Sequence, residues 1–173
     1  MRNQMRRGFA VALMATALLF GAIACSTSVV SKDEVATTAS KALQEQGVQV
    51  ENMTCPDDLQ AAVGKTLRCE FTTGGQPVDA VVTVTSVEDG LARYDVHTEA
   101  RPVAKVLLDQ KVAETLSAQA DIAVDSSNCA GDLQPQVGDT VSCEVTAGSE
   151  SAEFAVTVTS VDGGLINFSI EQV

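Results

Sequence analysis

Polar and apolar positions change period several times along this chain, and each change predicts an element. Val35, Ala39, Ala42 and Leu43 recur at helical spacing. They follow Ser31-Lys32-Asp33-Glu34, which fits a capping box with Ser31 as N-cap. Gly47 supplies the helix stop. The period then falls to two. Val48-Gln49-Val50 predicts a short strand, and Leu67, Cys69 and Phe71 alternate with Arg68, Glu70 and Thr72. Val82 and Val84 alternate with Thr83 and Thr85, and Ala92, Tyr94 and Val96 form one face of a last strand. Gly74-Gly75 and Asp89-Gly90 punctuate these strands as tight hairpin dipeptides.

The whole pattern then repeats. With a shift of 74 residues, Cys55–Val96 lies over Cys129–Ile170 without a gap, and 19 of the 42 aligned positions are identical. Val82-Thr83-Val84-Thr85-Ser86-Val87 recurs verbatim as Val156 to Val161. Thr98 to Arg101 reads as the junction. Pro102 suits a first helical turn, and Val103, Val106, Leu107, Ala113 and Leu116 predict an apolar stripe running toward Gln119. Ile122-Ala123-Val124 takes the place of Val48-Gln49-Val50. Val141, Cys143 and Val145 then alternate, as do Val156 and Val158 with Thr157 and Thr159, and Ile166, Phe168 and Ile170 close the copy. Gly148-Ser149 and Gly163-Gly164 are its turns. The expectation is an α+β protein of two tandem repeats, residues 31–99 and 100–173. Each is an N-terminal helix packed on a roughly four-stranded antiparallel β-meander with one disulfide. Domains of this size bury barely enough core to fold alone, and a covalent staple helps.

Four of the five cysteines fall within the repeats, and three pairings are open to them. The duplication selects Cys55 with Cys69 and Cys129 with Cys143, because each copy must close its own bridge. Zinc sites use closely spaced cysteines or added histidines, and His97 is the only histidine. Redox motifs use Cys-x-x-Cys, which is absent. Structural disulfides are the expectation, with no metal and no cofactor.

Cys25 stands apart, at the end of the uncharged run Gly8 to Ala24 that follows Arg2, Arg6 and Arg7. A basic start and an apolar run of this length make an export signal, residues 1–24. The run is short for a bilayer span of about 20 residues. Gly21-Ala22-Ile23-Ala24-Cys25 resembles a bacterial lipobox, with Ala22 where Leu is usual. Cys25 then carries a diacylglyceryl group, and residues 25–30 form a lipidated tether on the extracytoplasmic face of the cell membrane. An ordinary signal peptide with a fortuitous cysteine is the alternative. Arg6-Arg7-Gly8-Phe9 also suits a twin-arginine start, although a plain basic segment explains the same residues. Cleavage removes three arginines and no carboxylates, taking the formal net charge from −12 to −15. Such a chain repels nucleic acid and anionic head groups, so the lipid must hold it at the membrane. Two or more acyl chains anchor stably where one does not.

Repeat-shared carboxylates are the candidate functional surface: Asp58 and Asp132 inside the disulfide loops, Glu70 and Glu144 just after the second cysteines. Paired carboxylates perform acid–base chemistry or bind calcium. The plainer reading is that Asp58 and Asp132 cap a short helical turn through Leu59 and Leu133, with Glu70 and Glu144 on a polar strand face. Calcium loops carry denser oxygen ligands. His97 falls on a polar strand face and is replaced by Glu171 in the second copy. Ser86 and Ser160 lack a Gly-x-Ser-x-Gly context. With no tryptophan and one tyrosine, stacking on sugars or bases is poorly supplied.

The order Cys-Pro-x-Asp-Leu, Val-Gly, Cys-Glu and a Val-Thr-Val strand resembles the actinobacterial lipoprotein family called domain of unknown function 4333. The resemblance covers nearly all of residues 31–173 as two copies. Cys55, Gly64, Cys69, Cys129, Gly138 and Cys143 match its characteristic positions, and Ala130 departs from it where the first copy has Pro56. It implies an actinobacterial cell-envelope protein found beside membrane or secreted partners, and it brings no catalytic residues with it. Three function classes follow. The first is a non-catalytic binding or accessory module displayed to an envelope protein partner. The second is a carrier of a hydrophobic small molecule or lipid in a helix–sheet groove. The third, a hydrolase, has the least support.

Overall fold

The structure, a computed structural model, describes residues 28–120 and 123–173. The export signal, Cys25 and Ile122 lie outside the described residues.

The first repeat opens with strand β1 (Val29–Val30) and helix α1 (Lys32–Glu45). Ser31 caps α1 as its sequence requires, its Oγ accepting the Glu34 N–H at 3.3 Å. The helix ends in a Schellman motif. Gly47 takes φ +87°, its N–H reaches the Gln44 carbonyl at 3.0 Å, and the Val48 N–H reaches the Leu43 carbonyl at 3.0 Å. Val48 is thus committed to closing the helix, and the strand expected over Val48-Gln49-Val50 begins later. Strand β2 is Glu51–Thr54 and carries a left-handed residue, Asn52 (φ 53°), where its register shifts. Strand β3 (Leu59–Gln60) pairs with β1, and β4 (Thr66–Thr73), β5 (Gln76–Glu88) and β6 (Leu91–Ala100) complete a four-stranded sheet in the order β2-β4-β5-β6. All its pairings are antiparallel.

The second repeat contains α2 (Lys105–Ala120), β7 (Ser126–Cys129), β8 (Thr140–Ala147), β9 (Glu150–Asp162) and β10 (Leu165–Gln172), with sheet order β10-β9-β8-β7. Two expectations are corrected here. Thr98 to Ala100 belongs to β6, paired with Ala80 to Val78, so the junction is 101–104. The α2 stripe is also displaced. Val103 is extended and forms a β-bridge with Leu133, and Val106 is 80 % exposed. The helix starts at Lys105 and buries Leu108 and Val112, one turn apart, while Leu107 and Leu116 of the expected stripe are partly buried against the same core. Counting the stripe from Val103 treated a strand residue as helical and shifted the buried face. The bridge Val103–Leu133 is the counterpart of the β1–β3 pair Val30–Leu59.

Each repeat has its own core. Val35, Ala39 and Leu43 of α1 pack with Cys69, Phe71, Val78, Ala80, Val82, Val84 and Val96. Leu108 and Val112 of α2 pack with Cys143, Val145, Val156, Val158 and Ile166. The verbatim segment also repeats a bulge. The β5–β6 register shifts between Val84 and Ser86, and the β9–β10 register shifts opposite Val158 to Ser160. In each copy a threonine, Thr85 or Thr159, is the extra residue.

Candidate functional site

The disulfide loops join all parts of a repeat. Cys55–Cys69 and Cys129–Cys143 are bonded, and Cys129 and Cys143 face each other across β7 and β8. Both loops dock onto the long strand through their Val-Gly step. The Gly64 N–H donates to the Val84 carbonyl at 2.8 Å, and the Gly138 N–H to the Val158 carbonyl at 2.9 Å. Both glycines hold φ above +80°, a backbone that side chains rarely adopt.

Asp58 and Asp132 are caps, but of a different helix from the one expected. Leu59 lies in β3, so no helical turn follows Asp58. Asp58 Oδ1 instead accepts the Lys32 N–H at 2.9 Å, and Asp132 Oδ1 accepts the Lys105 N–H at 2.7 Å. Each loop carboxylate therefore holds the first N–H of its repeat's main helix, where the helix dipole also favours negative charge. The spans are 26 and 27 residues, so the second copy carries one extra residue between helix and aspartate.

Glu70 and Glu144 lie on exposed strand faces that the two repeats use differently. Glu70 stands opposite Asp79, and two arginines offset them. Arg68 Nη1 contacts Asp79 at 2.9 Å and Glu99 at 2.6 Å, while Arg101 Nη1 contacts Glu70 at 2.9 Å. Hydrogen bonding from Arg68 holds the Glu99 carboxyl below its usual range, and those same carboxylates raise Arg68. His97 Nε2 sits 3.7 Å from Glu99. In the second repeat Ser142 replaces Arg68. Glu144 stands opposite Glu153, which accepts the Ser142 hydroxyl, in a shallow depression of about 540 Å³ that Asn128 and Ser151 also line. One face is charge-compensated and the other acidic. Among the described residues no group of three or more His, Cys, Asp or Glu is placed to hold a metal ion.

A second depression, of about 500 Å³, lies between α1 and β6. Its lining includes Val29, Val30, Ala42, Leu91, Tyr94 and Val96, with Glu34 and Arg93 at hand. Ser28, the first described residue, is also part of the lining.

Three structural residues carried no signal in the periodicity. Asp109 Oδ1 accepts the Cys129 N–H at 2.6 Å, and its Oδ2 contacts Lys105 Nζ at 2.8 Å. This ties α2 to the disulfide. Gln76 is 7 % exposed and spans the two repeats: its Nε2 donates to the Ile166 carbonyl at 2.9 Å and its Oε1 accepts the Ile166 N–H at 3.1 Å. Arg101, assigned to the junction, reaches back to Glu70.

Fold and site define a tandem α+β repeat protein, stapled once per copy, whose shared loop aspartates Asp58 and Asp132 hold the helix starts. The model of one family, domain of unknown function (DUF4333), matches residues 13–89 and again 96–163, and the chain belongs to that family. No curated protein and no solved structure matches it. No described helix is long and apolar enough to cross a membrane.

Proposed function

We propose that this chain is a non-catalytic cell-envelope lipoprotein, anchored through Cys25, that presents its two repeats as one accessory or binding unit outside the membrane. The observation that carries this reading is the use made of Asp58 and Asp132. The carboxylates common to both disulfide loops are engaged by helix N–H groups, which favours a scaffold role over acid–base work. Glu70 is likewise engaged by Arg101. The charge of the chain favours a protein or neutral partner over nucleic acid. The helix-on-meander architecture of each repeat fits a module that displays one open sheet face.

The depression between α1 and β6 favours a second reading, in which the chain carries a hydrophobic small molecule or lipid. Its volume lies within the roughly 300–1,000 Å³ of small-molecule sites. One experiment addresses both readings. Native mass spectrometry is run on the full chain, extracted gently from envelope membranes, beside Cys25→Ser and Thr38→Trp variants, Thr38 being a residue that lines this depression. The lipoprotein reading expects a diacylglyceryl mass that disappears in Cys25→Ser, with that variant leaving the membrane fraction. An unmodified Cys25 in membrane-retained protein overturns it. The carrier reading expects an additional noncovalent aliphatic mass that Thr38→Trp removes. A ligand-free mass in the wild type overturns the carrier and leaves the accessory module.

A further inference from the structure

The two repeats meet through unlike surfaces. The β9–β10 hairpin tip of the second repeat, Gly163-Gly164-Leu165-Ile166, is a plug. The socket belongs to the first repeat and contains Gln76, Val78, Val48 and Thr98. Gln76 satisfies both backbone groups of Ile166. The fit is close at the glycines. A Cβ on Gly164 would stand 2.2 Å from Val78 Cγ1 and one on Gly163 3.1 Å from Val48 Cγ2. A contact between different surfaces of equivalent units is not self-complementary. It leaves one plug and one socket unused, and copies joined through them would form a ring where the rotation closes and an open-ended string where it does not.

Both unused halves are present. The spare plug is Asp89-Gly90-Leu91-Ala92 of the first repeat, where Leu91 is 75 % exposed and a Cβ on Gly90 would meet open space. The spare socket is the β8–β9 turn of the second repeat, where Glu150 stands in the place of Gln76, Ala152 in that of Val78 and Gln172 in that of Thr98, while Ile122, in the place of Val48, lies outside the described residues. Each half differs from its engaged counterpart by a carboxylate. Glu150 has no N–H to give the Ala92 carbonyl, so a docked plug would bury an unpaired acceptor beside a negative charge. Asp89 replaces Gly163, where a Cβ already stands 3.1 Å from Val48 in the engaged pair, and it places a second negative charge near Glu150.

We infer that Asp89 and Glu150 keep a head-to-tail interface between copies of this chain closed, restricting the plug–socket contact to the pair within one molecule. The occupant excluded is a second copy. Both residues are exposed and neither belongs to a core, so their substitution leaves each repeat folded. Asp89 has φ +51°, which glycine adopts without strain.

The test compares the full chain with D89G/E150Q and D89G/E150Q/A152V, all in a Cys25→Ser background, by sedimentation velocity over a wide concentration range. The unsubstituted chain is expected to sediment as a monomer throughout. The double variant's sedimentation coefficient should climb with concentration, and Ala152→Val, which restores the valine of the engaged socket, should move that climb to lower concentration. Monomeric behaviour of both variants overturns the inference. So does an unsubstituted chain that associates as strongly as they do.

Discussion

At the scale of single residues, the two helix-capping aspartates are equivalent in geometry but not in backing. In the first repeat Asp58 shares the helix start with Ser31, whose Oγ takes the Glu34 N–H. In the second, Ala104 precedes Lys105 and has no side-chain acceptor, so Asp132 caps α2 alone. Loss of a cap costs about 0.5–2 kcal/mol. Asp132→Ala should therefore fall near the upper end of that range and Asp58→Ala near the lower, read as shifts of the urea midpoint at constant m. Equal losses would show that Ser31 contributes nothing beside Asp58. The exposed Arg68–Glu99 pair contributes in one direction only. Because the Glu99 carboxyl is held below its usual range, its stabilisation is present above the normal carboxylate pKa and is lost as pH falls through the depressed value. Ser31 and Gly47 were legible because their bonds are local. Asp58 was not, because its partner lies 26 residues back and no period connects the two.

At the scale of elements, strand faces were legible and strand ends were not. Leu67, Cys69 and Phe71 point inward as their alternation requires, and the hairpin dipeptides turn where they stand, with Asp89 and Gly90 both at positive φ. Period two is a property of the strand interior. Where β2 begins is set by the Schellman closure at Gly47 and Val48 and by the left-handed Asn52, and neither leaves an alternating trace. Helix α2 makes the same point. Its stripe has the expected period but the wrong origin, since Val103 belongs to a β-bridge that only Leu133 reveals. The corrected face gives a clear expectation. Leu108→Ala, at a position with no exposure, should cost about 2–5 kcal/mol. Val106→Ala, one turn of the misread stripe away, should change stability by less than about 0.5 kcal/mol. Thermal unfolding of the two variants measures this directly, and a larger loss at Val106 would return the stripe to its sequence-derived register.

At the scale of the whole molecule, the duplication predicted two tandem domains and left their relation open. Their joint depends on side-chain reach across 90 residues of chain, which no repeat pattern encodes. Gln76 pairs with Ile166 much as a neighbouring strand would, and Gly164 lies against Val78, which is fully buried. Cutting the chain at residue 99 would thus uncover part of the first repeat's own core surface and disturb its fold. Gln76→Ala is the cleaner separation. It leaves the Ile166 N–H and carbonyl without partners at a buried position, a loss of about 1–3 kcal/mol for each group kept from water. Scanning calorimetry of the full chain should then resolve two transitions in place of one cooperative unfolding event, since domains that lose their contact melt independently. Gln76→Glu tests the donor by itself. The carboxylate still accepts the Ile166 N–H but faces the Ile166 carbonyl with no proton to offer, so it should uncouple the repeats at least as strongly as alanine does. A calorimetric trace for Gln76→Ala that superimposes on the unsubstituted chain would mean that the glycine–valine contact alone holds the repeats together, and the amide would lose its place as the clasp between them.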